Sequence, residues 1–147
     1  MLNDIYTPEI LTCAAQISKI GRLNNPNASA EKHSRLCGSR IIVDLTMEGD
    51  TIIEFGQVIQ ACALGQAAAS LVASHIIGMS SLQFKSLQTH IFAMLSEGAP
   101  LPKGFFEDFA ILAPITAYPQ RHASAMLCLD AVVDCIEQIE KYPHEKT

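Results

Sequence analysis

The sequence predicts an α+β fold: a short antiparallel β-sheet packed on one face by several helices. Three observations point there. Two β-branched, apolar runs, Ser39 to Met47 and Thr51 to Ile59, flank the turn residues Glu48-Gly49-Asp50, which is a hairpin signature. Stretches before and after them repeat apolar residues at helical spacing. The order is helix, strands, then helices, which places the helices together on one sheet face rather than alternating with parallel strands. The chain of 147 residues suits one domain, 1–147, with a single core.

The elements follow in order. Thr7-Pro8 starts a helix, because a Thr side chain caps free backbone N–H groups and Pro tolerates the first helical position. Ile10, Cys13, Ala14 and Ile17 continue it at helical spacing, and Gly21 suits its stop. Asn24-Asn25-Pro26-Asn27 is a loop by composition. After the hairpin, a second helix runs from about Cys62 to Ile77 and ends near Gly78; its small residues allow close approach of neighbouring backbone. Ser80-Ser81 caps a third helix with Phe84, Leu87, Ile91 and Met94 on one face. Gly98-Ala99-Pro100-Leu101-Pro102 breaks the chain. Phe105 to Ala113 forms a short helix, ended by Ala113-Pro114. The last helix starts around Pro119 and runs to about Lys141. Ser124, Cys128, Ala131, Cys135 and Ile139 form its apolar stripe, with Asp130, Asp134, Glu137 and Lys141 away from it. The helices at 62–77 and 119–141 are the ones expected on the sheet.

Composition excludes several classes. The net charge is −5 and Lys and Arg do not cluster, so no nucleic acid partner is expected: an acidic chain gains nothing from counterion release on phosphates. No charged residue falls between Glu54 and Lys85, which raises the question of a membrane span over 58–79. Gln60, Gln66, Ser70, Ser74 and His75 interrupt that run, and its apolar residues are mostly Ala, so a buried helix is expected and no membrane. Charged residues make up only 17% of the chain, against roughly 25% in typical soluble domains, which suggests extensive burial or a partner surface. The N-terminus lacks the positive region and apolar run of a secretory signal. Five cysteines form an odd set without CxxC, which fits reduced thiols and a cytoplasmic location better than a disulfide scaffold. There is no G-x-S-x-G elbow and no glycine-rich phosphate loop, so no enzyme activity is expected.

The strongest chemical signal is a pair of thiols on element ends. Cys37 stands before a strand-like run, and Cys62 opens the small-residue helix. One hairpin separates them, so they can converge. Thiolates bind soft metals, iron–sulfur clusters and sulfane sulfur, which makes Cys37 and Cys62 the first candidates for metal or cluster ligands. His122 begins the last helix, and an imidazole ligates zinc or replaces a thiolate in iron–sulfur sites. Cys128 lies one turn after Ser124 and would reach the site if the helix slid. Arg121 could act on a nearby thiol by its charge. Cys13 and Cys135 sit on apolar stripes and read as core.

Four segments together resemble the iron–sulfur cluster assembly scaffold family, the IscU, SufU and NifU N-terminal group. Asn25-Pro26 resembles the loop after the family's first helix. Cys37-Gly38, entering Arg40-Ile41-Ile42-Val43, resembles its first cysteine motif, normally Cys-Gly-Asp before a strand. Ala61-Cys62-Ala63-Leu64-Gly65-Gln66-Ala67-Ala68-Ala69-Ser70 resembles its second cysteine and small-residue helix. Tyr118-Pro119-Gln120-Arg121, running into Ser124-Ala125-Met126-Leu127, resembles the segment with its third cysteine. The long stretch between the second and third cysteine positions is similar to the SufU-like branch. Ser39 stands where the family has Asp, and Ser124 where it has the third Cys; in the family these four positions bind zinc or a [2Fe–2S] cluster. The resemblance implies a scaffold-like protein binding iron, a [2Fe–2S] cluster or zinc, served by a cysteine desulfurase and cluster-transfer partners. Two cysteines per chain make a four-thiolate set in a homodimer. The alternatives are a metal-free interaction protein for a cysteine desulfurase and a SufU-like zinc-dependent sulfur acceptor.

Overall fold

The computed structural model describes residues 5–35, 38–100 and 103–141. It contains a sheet of three strands in sequence order, β1 (Ala28–Ser34), β2 (Ser39–Glu48) and β3 (Thr51–Gln60), each antiparallel to its neighbour. β2 and β3 are the expected hairpin, closed by Gly49-Asp50. The helices are α1 (Pro8–Ala15), α2 (Ala63–His75), α3 (Ser81–Glu97) and α4 (His122–Lys141), with a 3₁₀ helix at Gly104–Ala117 and a 3₁₀ turn at Pro119–Arg121 leading into α4. Among the described residues no helix is long and apolar enough to cross a membrane.

β2 shows why the sheet has one covered face. Ile41, Val43, Leu45 and Met47 alternate along the strand and are buried, while Arg40 and Glu48 on the opposite face are exposed. α4 lies across β1 and β2, α2 packs between α1 and α4, and α3 packs on the outer side of α4. α2 also reaches the sheet through Gln57, whose buried Nε2 donates to Ala69 O at 3.4 Å and to Ser18 O at 3.2 Å.

β1 was not foreseen. Its buried residues are only Ala28, Ala30 and Ser34, Lys32 takes the fourth position on that face, and Ser29, Glu31 and His33 face outward, so it carries little β-propensity. Those small side chains let α4 come close to the sheet. The first helix stops at Ala15, short of Gly21. The chain at Lys19 to Gly21 instead lies along β3: Gln57 N donates to Lys19 O at 3.1 Å, and Gly21 N donates to Gln57 O at 2.8 Å. Backbone groups on that strand edge outbid continuation of the helix.

The helix expected to end at Ala113 runs to Ala117, and it is 3₁₀ rather than α. Phe109, Leu112 and Ile115 are fully buried, with Phe106 and Tyr118 partly buried on the same line. The spacing is three, which matches the three residues per turn of a 3₁₀ helix. Pro114 falls on the exposed side. α3 behaves as its caps predict. Ser80 Oγ accepts from Gln83 N, Gln83 Oε1 accepts from Ser80 N, and Gly98 closes the helix in a left-handed conformation.

Candidate functional site

Three chain segments meet at one point. Gly38, with φ +67, sits just before β2, and Ser39 is the first residue of that strand. Glycine suits that turn because a side chain is strained at this φ. Cys62 is the N-cap of α2, and Ser124 lies in the first turn of α4. Ser124 is the centre of the group. Its Oγ is 3.4 Å from Ser39 Oγ and 3.6 Å from Cys62 Sγ. Both serines are buried, whereas Cys62 is partly accessible. Cys37 precedes Gly38 in the chain and lies outside the described residues.

Gly65 makes this meeting feasible. A Cβ there would stand 2.8 Å from Ala61 Cβ and 3.3 Å from Ser124 O. The absence of a side chain therefore lets the first turn of α2 rest against the start of α4. The other small residues of α2, Ala67, Ala68 and Ala69, are fully buried and extend the close packing. Cys62 makes no side-chain cap, so its sulfur leaves the first N–H groups of α2 uncapped. A helix N-terminus carries partial positive charge and favours an anionic occupant.

The other nominated residues lie elsewhere. Cys128 is on the α4 face that packs on the sheet. It is buried, its Sγ donates to Gln57 Oε1 at 3.7 Å, and burial pushes its thiol well above the ordinary range. A slide of α4 by a turn would break that contact and the whole buried stripe. His122 Nε2 lies 3.1 Å from Ile115 O and 3.2 Å from Thr116 O. Carbonyls only accept, so Nε2 carries a proton. The ring lines a cavity between α3 and α4 with Met126 and Asp130, one face away from Ser124. Arg121 lies in the 3₁₀ turn before α4, and its Nε is buried without a hydrogen-bond partner. Cys13 and Cys135 are core residues; burial raises both thiols, Cys135 to about 12. Among the described residues no group of three or more His, Cys, Asp or Glu side chains is placed to hold a metal ion.

Two positioning residues escaped the sequence reading. Gln57 is fully buried and ties β3 to α2, α4 and the segment after α1. Its only signal was a polar residue amid an apolar strand. Asp44, also fully buried, sits on the sheet face opposite the helices. It accepts from Arg22 Nε at 2.6 Å, Arg22 Nη2 at 3.0 Å, Ser29 Oγ at 2.6 Å and Leu23 N at 3.0 Å. Burial alone would raise its pKa, but these donors outweigh it and hold the carboxyl below the ordinary value. The cluster pins the segment after α1 onto the sheet.

No family profile matches the chain. Individual proteins do. It is 40% identical to a nitrogen-fixing NifU-like protein (N-terminal) from Brucella abortus, over 96% of this chain and 98% of that one, with a TM-score of 0.93. It is 24% identical over 137 residues to the iron–sulfur cluster assembly scaffold protein IscU of Thermotoga maritima, covering 93% of this chain and 96% of IscU. It shares its fold with an iron–sulfur cluster assembly scaffold protein of the SUF system from Fervidobacterium islandicum, at 18% identity, coverage of 90% and 96%, and a TM-score of 0.83.

Proposed function

Because the chain belongs to the IscU/NifU-like family of iron–sulfur cluster assembly scaffolds, we propose that it carries iron or a [2Fe–2S] unit as cargo through Cys37 and Cys62. The observation behind this reading is the meeting of Ser39, Cys62 and Ser124 within hydrogen-bond range. Those are three of the four positions at which the family pattern places its ligands, and Cys37 is the fourth. The chemistry of the donor set then decides the stoichiometry. Hydroxyls are poor ligands for iron and zinc beside thiolates. One chain therefore offers two strong ligands, and two chains offer the four that a [2Fe–2S] cluster takes. His122 and Cys128 are not needed in this arrangement, and both are engaged elsewhere.

The serines have a role of their own here. Ser124 lies within hydrogen-bond range of Cys62 Sγ and of Ser39 Oγ, so its hydroxyl can donate to the sulfur. Donation to the sulfur draws charge from it and weakens its hold on a metal. The N-terminus of α2 supports the negative charge of thiolate-held cargo. The protein holds cargo loosely, receives sulfur from a cysteine desulfurase, passes the product on and catalyses no step itself; its place is the cytoplasm.

A second reading rests on the same pair of serines. A buried Ser39–Ser124 contact satisfies both hydroxyls without any metal. In that case the protein keeps the family surface and serves a desulfurase as a metal-free interaction partner. Anaerobic reconstitution with ferrous iron and sulfide separates the two. The first reading expects visible sulfur-to-iron charge-transfer absorption that Cys62→Ala abolishes and that the double variant Ser39→Asp, Ser124→Cys strengthens. Absorption in the double variant alone would establish the second reading instead.

A further inference from the structure

On the outer side of α4 a cavity of about 380 Å³ opens between α3 and α4. Phe92 and Leu95 form its α3 wall, Pro119 its end, and His122, Met126 and Asp130 its α4 wall. The last three recur every four residues, so they share one face of α4. That face is distinct from the one carrying Cys128 and Cys135, which packs on the sheet.

The walls are mostly apolar, and Asp130 lines them as an acceptor. Asp130 is half-buried. Gln88 Nε2 donates to its Oδ1 at 2.9 Å. Burial raises the Asp130 carboxyl above its ordinary value, against the opposing effects of Gln88 and of the Lys32 ammonium. Lys32 itself pairs with Asp134 at 3.3 Å. His122 donates its Nε2 proton to two carbonyls and lines the same cavity. Phe92 is 55% exposed and offers an aromatic wall.

A carboxylate and an aromatic ring in one apolar cleft suit a positive head on an apolar stem. We propose that the α3–α4 groove receives a lysine or arginine side chain from a partner protein. The stem lies along Leu95 and Met126, and the head reaches Asp130. The charge of the whole chain, −5, favours a partner with a basic face. Ala123 lines the groove and adjoins Ser124 in sequence, so the groove opens on a different face of the same first turn of α4. The groove is independent of any cargo at Cys62, and binding to it is measured without metal.

The test is a titration of the full chain, metal-free and under reducing conditions, followed by amide NMR shifts. Three probes are used: acetyl-Gly-Lys-Gly-amide, the same peptide with norleucine for lysine, and n-hexylammonium. The lysyl peptide is expected to give saturable shifts at Phe92, Leu95, Met126 and Asp130. The norleucine peptide should bind at least about tenfold more weakly, as should the lysyl peptide to Asp130→Asn, since one charge-assisted contact is worth about that much. Equal binding of the two peptides, unchanged binding to Asp130→Asn, or shifts confined to other residues would overturn the proposal. Binding of n-hexylammonium without the lysyl peptide would also overturn it, because the groove would then take a free amine and not a protein side chain. The Phe92→Ser variant, altered on an exposed ring that folding does not require, should weaken the lysyl peptide in the same direction.

Discussion

Asp44 shows how much one residue can fix. It is a carboxylate with no solvent exposure, and it stays ionised because two guanidinium contacts, a hydroxyl and a backbone N–H all donate to it. Removing the charge while keeping the shape leaves the Arg22 guanidinium, half exposed, without its partner. Asp44→Asn is expected to cost about 1.5–3 kcal/mol near neutral pH, the range for hydrogen bonds to charged groups, read by urea unfolding. The sign with pH follows from the depressed folded pKa. The unfolded carboxyl takes up its proton first as pH falls, so the contribution is complete above the ordinary carboxylate value of 3.8 and is lost below it. The gap between native chain and variant should therefore be constant from neutral pH down to about 5 and shrink toward pH 2. A gap that widens on acidification would contradict the ionised Asp44.

Residues also mark where the sequence was legible. Ser39, Cys62 and Ser124 were read as equivalent positions of one site from their motifs, and the structure brings those three together. The motifs carried that because each lies at an element end, where backbone geometry restricts the choice of residue. Gln57 and Asp44 were not read as positioners. Their roles depend on neighbours 12 to 71 residues away in the chain, such as Ala69 and Cys128 for Gln57 and Leu23 for Asp44, and no local pattern reports such contacts.

At the scale of the element, the 3₁₀ helix Gly104–Ala117 carries the clearest lesson. Its buried positions fall three apart at Phe109, Leu112 and Ile115, where an α-helix would spread them over a wider arc. The stretch was legible as a helix, yet Pro114 read as its end, because Pro removes a donor inside an α-helix. On the exposed side of this one it is tolerated. The segment is held at both ends. His75 at the end of α2 contacts Asp108 at 3.1 Å, and His122 donates to Ile115 O and Thr116 O. It thereby links the end of α2 to the start of α4. Leu112→Ala is expected to cost about 2–5 kcal/mol through the cavity it leaves. Glu107→Ala, on the exposed side, should stay within about 0.5 kcal/mol. Thermal unfolding of the two variants checks this, and equal effects would contradict a buried stripe of period three. β1 is the opposite case. Its alternation is real, but its buried residues are small and its outward ones polar, so composition concealed it.

For the whole molecule, the β2–β3 hairpin and the one-sided helical layer were readable, since apolar periodicity dictates them, while β1 was not. What composition could not say is how many ligands the site commands. On the proposed function, two thiols and two hydroxyls at each chain's site would give a cargo shared between two chains. The most direct measurement is native mass spectrometry of the anaerobically reconstituted protein, with Cys62→Ala alongside. The account predicts a species of two chains with two irons and two sulfides, absent from Cys62→Ala. A wild-type spectrum showing only folded, iron-free chains, or equal iron loading of Cys62→Ala, would contradict it.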